Sequence, residues 1–135
     1  MSKITNSPEE TINYAKSIAS SFQKGDVYGL RGKLASGKTT FIKGLLIGMD
    51  YYDMVNSPTF TLINEYDAIN KVIHIDCYRE NNINRWIDLG ILEYFSSDSI
   101  ILIEWPEIID KVLPKDIKYI NFDALDHNRR KITLC

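Results

Sequence analysis

The residues most suited to chemistry are those from Gly32 to Thr39, which read Gly-Lys-Leu-Ala-Ser-Gly-Lys-Thr and fit the pattern G-x-x-x-x-G-K-[ST]. Glycines in such a loop let backbone N–H groups surround phosphate oxygens, and the helix that follows points its positive end at the same charge. In this pattern Lys38 bridges the outer phosphates and Thr39 offers its hydroxyl to Mg²⁺. The spacing therefore predicts a site for ATP or GTP. The predicted nucleotide contacts in the loop are Gly32, Leu34, Ala35, Ser36, Gly37, Lys38, Thr39 and Thr40.

The segments beside this loop have the order that a phosphate site needs. Residues 26–31 form a short apolar run typical of a strand, and residues 40–47 have helical spacing. Strand, glycine loop and helix in this order characterise the phosphate-binding loop. An ordinary strand-to-helix turn without a ligand is the alternative interpretation of the same residues.

Two acids are candidates for work beside the loop. Glu104 follows the apolar run 99–103, the pattern of a strand that is buried on both faces and whose carboxyl end opens on a ligand crevice. Asp76 lies in an alternating segment that sends His74, Asp76 and Tyr78 to one face. The spacing alone leaves the role of Asp76 open and favours a structural role for His74. Together with the loop, these acids give the candidate catalytic residues Lys38, Asp76 and Glu104. The candidate metal ligands are Thr39 and Glu104.

The remaining segments indicate mixed α and β structure. Ser7 can cap a helix that begins at Pro8 and runs to about residue 22. Residues 60–66 and 71–78 read as a hairpin about the turn 67–70. Other predicted elements are a helical stretch over 85–95 that is interrupted at Gly90, a short helical piece between Pro106 and Pro114, and closing strands over 117–122 and 131–134.

Composition narrows the possible functions. With 135 residues, 44% of them hydrophobic, the chain suits one domain, residues 1–135, with a real core. A net charge of −2 lacks the basic footprint of a nucleic-acid-binding protein, so tight direct RNA binding is not expected. The two cysteines and two histidines have no zinc-site spacing. No segment has the pattern of a signal peptide or a membrane span, so the sequence predicts a cytoplasmic protein without membrane contact.

Taken together, the motifs resemble the TsaE (YjeE) family of ATPases in tRNA threonylcarbamoyladenosine synthesis. The resemblance covers most of the chain and leaves the first helix and the last two strands without a distinctive signature. It rests on five motifs in order: the glycine loop continuing through Thr40-Phe41, Ser57-Pro58-Thr59-Phe60-Thr61-Leu62, His74-Ile75-Asp76-Cys77-Tyr78-Arg79, Leu89-Gly90 with Glu93-Tyr94, and Ile103-Glu104-Trp105-Pro106-Glu107.

The resemblance implies a three-layer α/β P-loop NTPase-like fold with a mainly parallel central sheet and an antiparallel hairpin. It implies ATP and Mg²⁺ as ligands, with slow hydrolysis that needs the partners TsaB and TsaD. In that picture the ATP cycle resets the TsaB–TsaD complex, and tRNA is met only through that complex. By the same likeness, Thr39 and Glu104 organise the metal, and Asp76 positions metal or the attacking water. Thr59 belongs to a switch-like loop near the γ-phosphate, and Trp105 either matters for function or packs in the core.

The loop departs from the usual family spelling at three positions: Lys33 replaces Asp, Ala35 replaces Gly and Ser36 replaces Ala. If position 35 needs a positive φ, a β-carbon there costs about 1 kcal/mol.

Other classes of nucleotide-binding protein fit part of the pattern. A small-molecule kinase would need an acceptor pocket and an arginine-bearing lid, and a non-catalytic nucleotide-gated binding module would need only the loop. A GTPase is disfavoured because Asn70-Lys71 is followed by Val72-Ile73 rather than completing N-K-x-D.

Overall fold

The computed structural model describes residues 1–56, 58 and 61–135. Within these residues seven strands form one sheet in the order β1-β7-β6-β2-β5-β4-β3. The strands are β1 (Ser2–Thr5), β2 (Val27–Arg31), β3 (Ile63–Asp67), β4 (Lys71–Asp76), β5 (Ile100–Glu104), β6 (Lys118–Ala124) and β7 (Arg130–Leu134). The helices are α1 (Pro8–Ile18), α2 (Lys38–Gly48), α3 (Ile83–Asp88) and α4 (Ile91–Phe95), with 3₁₀ helices at Ala19–Ser21 and Pro106–Val112.

The middle of the sheet is parallel and its edges are antiparallel. Strands β6, β2, β5 and β4 run parallel to their neighbours in this group. On one side β3 pairs antiparallel with β4, and on the other β7 pairs antiparallel with β6 and β1. This arrangement confirms the predicted α/β fold and its hairpin.

Apolar side chains fill a core on each face of the sheet. Ile100 and Leu102 of β5 belong to the core under α1 and α2, and Ile101 and Ile103 belong to the core under α3 and α4. Every residue of β5 is buried, as predicted from its continuous apolar run. The two cores make the molecule three layers thick, with Glu104 at the carboxyl end of a central strand.

Close contact between α1 and α2 fixes the helix that follows the glycine loop. A β-carbon at Gly44 of α2 would lie 2.7 Å from the Ala15 Cβ and 2.6 Å from the Ile12 carbonyl oxygen. The absence of a side chain at this position therefore lets the helices touch.

Several element boundaries differ from the sequence predictions. The helix predicted over 8–22 is α1 followed by a 3₁₀ turn, and the stretch over 85–95 is two helices separated by Gly90 at φ +87°. The sequence does not predict strand β1, because its four residues are mostly polar and depend on pairing with β7. Among the described residues, no helix combines the length and apolar character needed to cross a bilayer.

Candidate nucleotide-binding site

A cavity of about 540 Å³ opens where the carboxyl ends of β2, β4 and β5 meet the start of α2. Crevices at the carboxyl ends of parallel strands are the usual ligand sites of such sheets. The lining includes the predicted residues Leu34, Ala35, Ser36, Gly37, Lys38, Thr39, Thr40, Asp76 and Glu104. Gly32 lies at the base of the loop outside this lining, and the predicted contact Thr59 lies outside the described residues.

The backbone of the loop explains its glycines. Gly37 caps α2 with φ +100°, a left-handed conformation that favours glycine. A β-carbon at Gly32 would lie 2.7 Å from the Phe122 carbonyl oxygen, so no larger residue fits there. Ala35 has φ +60°, and its β-carbon therefore carries the cost that the sequence suggested for a left-handed position.

Lys38 is held inside the loop in a largely buried position. Its Nζ donates to the Gly32 carbonyl oxygen at 2.6 Å and lies 4.2 Å from the centroid of the Trp105 ring. Burial lowers the pKa of Lys38, and the negative charges of Glu104, Asp76 and Glu107 oppose that shift. An anionic ligand in the cavity would place a further negative charge next to this buried ammonium and would stabilise it.

Asp76 and Glu104 are brought together by the register of two parallel strands. The Cα atoms of Asp76 and Glu104 are partners across β4 and β5, and both residues are buried. The Cys77 N–H donates to the Glu104 carbonyl oxygen at 3.1 Å, and the Tyr78 N–H donates to the Asp76 Oδ1 at 2.9 Å. Of the polar face predicted for this segment, His74 and Asp76 lie in the interior, whereas Tyr78 is 45% exposed.

The candidate metal ligands, Thr39 and Glu104, fit a magnesium ion that is bound together with a nucleotide. In the part of the chain that the structure describes, no three His, Cys, Asp or Glu side chains cluster so that they could hold a metal ion. Mg²⁺ is commonly bound by one or two carboxylates together with substrate phosphates and water. Within the loop, the buried Ser36 hydroxyl has no hydrogen-bond partner among the described residues and is therefore a candidate contact for a ligand.

Two contacts at the site, made by Arg130 and Trp105, could not be predicted from the sequence. The Arg130 Nη2 donates to the Ala35 carbonyl oxygen at 3.2 Å and so ties the last hairpin to the loop. Trp105 has φ +59°, and its ring lies 4.9 Å from that of Tyr78. No local pattern signals either arrangement, because each depends on segments that are distant in sequence or on an unusual backbone.

A comparison with known proteins gives one consistent result. A family model described as threonylcarbamoyl adenosine biosynthesis protein TsaE matches residues 5–132. The tRNA threonylcarbamoyladenosine biosynthesis protein TsaE of Bacillus subtilis is 41% identical over 130 residues, which are 96% of this chain and 81% of that protein. The protein of the same name from Borreliella burgdorferi is 41% identical over 114 residues, covering 82% and 81%.

A solved structure agrees with this match. The crystal structure of Bacillus subtilis YdiB superimposes with a TM-score of 0.85 at 36% identity, and the alignment covers 99% of this chain and 83% of that one. From the family match, the relatives and the shared fold, we conclude that the chain belongs to the TsaE family.

Proposed function

We propose that residues 1–135 form one Mg²⁺-dependent P-loop ATPase domain that serves as an accessory component of the tRNA threonylcarbamoyladenosine machinery. The observation that carries this proposal is the convergence of Lys38, Asp76 and Glu104 on the cavity beside the glycine loop. A binding module without catalysis would not need two buried carboxylates at that point. The names of the TsaE relatives support the assignment to this tRNA modification.

The loop and Lys38 would bind the phosphates of ATP. The Lys38 ammonium is already desolvated and donates a hydrogen bond to the Gly32 carbonyl oxygen at 2.6 Å. Binding of an anion would therefore cost little further conformational entropy of this side chain. Backbone N–H groups from the loop and the start of α2 add favourable dipoles for the same charge. We assign to Thr40 and the other loop residues the backbone contacts that the motif predicts.

Thr39 and Glu104 would hold the magnesium ion. When bound, Mg²⁺ neutralises charge on the terminal phosphates. Asp76 lies opposite Glu104 in the sheet and would orient the attacking water or the metal. Thr59 lies outside the described residues, and we keep it as a predicted residue of a switch-like loop.

The rest of the cavity offers a position for the nucleoside. This part of the lining comes from the start of α1 and from the turn between β6 and β7. Its residues are Ser7, Pro8, Thr11, His127 and Asn128. A cavity of about 540 Å³ has the volume typical of sites for small ligands and cofactors.

Partner proteins would complete the function. TsaB and TsaD would carry out the threonylcarbamoyl transfer, while the ATP cycle of this chain would reset their complex between rounds. tRNA would be met only through that complex, which agrees with the net charge of −2. The nucleotide state would bias docking by favouring one conformation of the site.

Phosphate release with and without TsaB and TsaD tests the proposal. Lys38→Ala is expected to weaken ATP binding, whereas Asp76→Ala and Glu104→Ala are expected to retain most binding and to lose turnover by roughly 100-fold or more. Lys43→Ala is the matched control, because Lys43 is an exposed lysine on the same helix. Unchanged turnover in Glu104→Ala would remove that residue from the mechanism. Phosphoryl transfer to a nucleoside or metabolite in place of phosphate release would favour a kinase.

A further inference from the structure

His74 is a buried polar residue that the function described so far does not use. Its side chain has no exposed surface, and Glu104 is only 5% exposed. The His74 Nε2 lies 2.6 Å from the Glu104 Oε2. His74 precedes Asp76 by two residues in β4, so both side chains lie on the face of the sheet that also carries Glu104.

The surroundings of His74 Nδ1 indicate whether His74 or Glu104 donates the hydrogen bond between them. The His74 Nδ1 is buried and has no hydrogen-bond partner among the described residues. If Glu104 were the donor, or if the imidazole were doubly protonated, a proton would sit on this unpartnered Nδ1. A buried donor without an acceptor is costly, so the arrangement that satisfies most groups is a neutral ring with its proton on Nε2. His74 then donates to an ionised Glu104.

We infer that His74 is a positioning residue for Glu104. The hydrogen bond holds the Oε2 of the buried Glu104 carboxylate. Burial lowers the pKa of the Lys38 ammonium, and this carboxylate lies close enough to Lys38 for its negative charge to oppose that shift. Without this donor, the Glu104 side chain could turn toward the ammonium instead of toward a ligand. A side chain that donates a hydrogen bond to a functional carboxylate fixes the orientation of that carboxylate, and its loss typically reduces activity roughly 10- to 100-fold.

Substitutions at position 74 separate positioning from packing. Gln carries an N–H at about the reach of Nε2, Asn carries one only at about the reach of Nδ1, and Phe fills the volume without a donor. In the assembly with TsaB and TsaD, His74→Phe and His74→Asn should reduce kcat roughly 10- to 100-fold. The Kd for ATP should stay within about twofold, and His74→Gln should recover most of kcat. Ile73→Ala, on the opposite face of the same strand, controls for lost stability.

Equal losses of kcat in His74→Gln and His74→Phe would overturn the inference, as would a loss that Ile73→Ala reproduces at matched stability. A loss of ATP affinity equal to the loss of kcat would also overturn it. These kinetic results rest on the proposed ATPase function, so a second measurement is made on the chain alone, without turnover.

Nuclear magnetic resonance of the imidazole nitrogens provides that measurement. The chain has two histidines, His74 and His127, and His127→Gln assigns their signals. At neutral pH the His74 Nε2 is expected to carry a proton protected from exchange and Nδ1 to carry none, and Glu104→Leu should remove the protection. A proton on Nδ1, or an Nε2 proton that Glu104→Leu leaves unchanged, would overturn the inference. Absence of ATP hydrolysis in the wild type together with the expected nitrogen signals would refute the ATPase proposal and leave this contact standing.

Discussion

Replacing Ala35 with glycine is expected to stabilise the protein. Ala35 has φ +60°, and the left-handed conformation costs an L-residue roughly 1–2 kcal/mol relative to glycine. Glycine in turn loses more entropy on folding, which offsets about 0.4–1 kcal/mol of this gain. Ala35 is exposed, so removal of its methyl group forfeits little burial, and its contact with Arg130 uses the carbonyl oxygen that glycine keeps. The net expectation is a gain of about 0.5–1 kcal/mol.

Thermal and denaturant unfolding measure this gain. For a chain of this size it corresponds to a rise of about 2–4 °C in Tm. Gly25→Ala is the reciprocal control, because Gly25 has φ +93° and an added β-carbon would meet nothing within 4 Å, so only the backbone conformation is perturbed. By the same balance of backbone strain and unfolded-state entropy, it should destabilise the protein by about 0.5–1 kcal/mol. If the bound loop keeps a positive φ at position 35, Ala35→Gly should leave the Kd for ATP within about twofold. Equal or lower stability of Ala35→Gly would refute the strain at this position.

Two further predictions concern packing and pH. Gly44→Ala should destabilise the protein by about 1–3 kcal/mol in denaturant unfolding, because the added β-carbon would lie 2.6 Å from the Ile12 carbonyl oxygen. An unchanged unfolding midpoint would contradict the close contact between α1 and α2. The Arg129 side chain and nearby N–H groups lower the pKa of Asp126 to about 2, so its stabilising effect is present above about pH 4 and is lost as the pH falls toward 2. The Tm difference between the wild type and Asp126→Asn should therefore narrow from pH 5 to pH 2, and a difference that does not depend on pH would contradict this assignment.

Local patterns in the sequence predicted the parts of the molecule that local chemistry determines. The glycine loop, the helix after it and the strand that ends at Glu104 each carry a strong pattern of residue types over a short span. The N-terminal cap of α1 by Ser7 is another such signal. The structure confirms this cap, because the Glu10 N–H donates a hydrogen bond to the Ser7 hydroxyl oxygen at 3.1 Å.

Contacts between distant segments could not be predicted in this way. Asp76 had an ambiguous role by spacing, and only the pairing of β4 with β5 brings it opposite Glu104. The same register buries His74, which period-two alternation alone would also allow on a surface. The hydrogen bond from Arg130 to the Ala35 carbonyl oxygen joins residues 95 positions apart and has no sequence signature.

The most direct test of nucleotide binding is a calorimetric titration of the chain with ATP in the presence of Mg²⁺, alone and with TsaB and TsaD. We expect saturable binding that Lys38→Ala weakens by at least about 10-fold and that Lys43→Ala leaves unchanged. No uptake of adenine nucleotide at millimolar concentration in either setting would contradict the central claim.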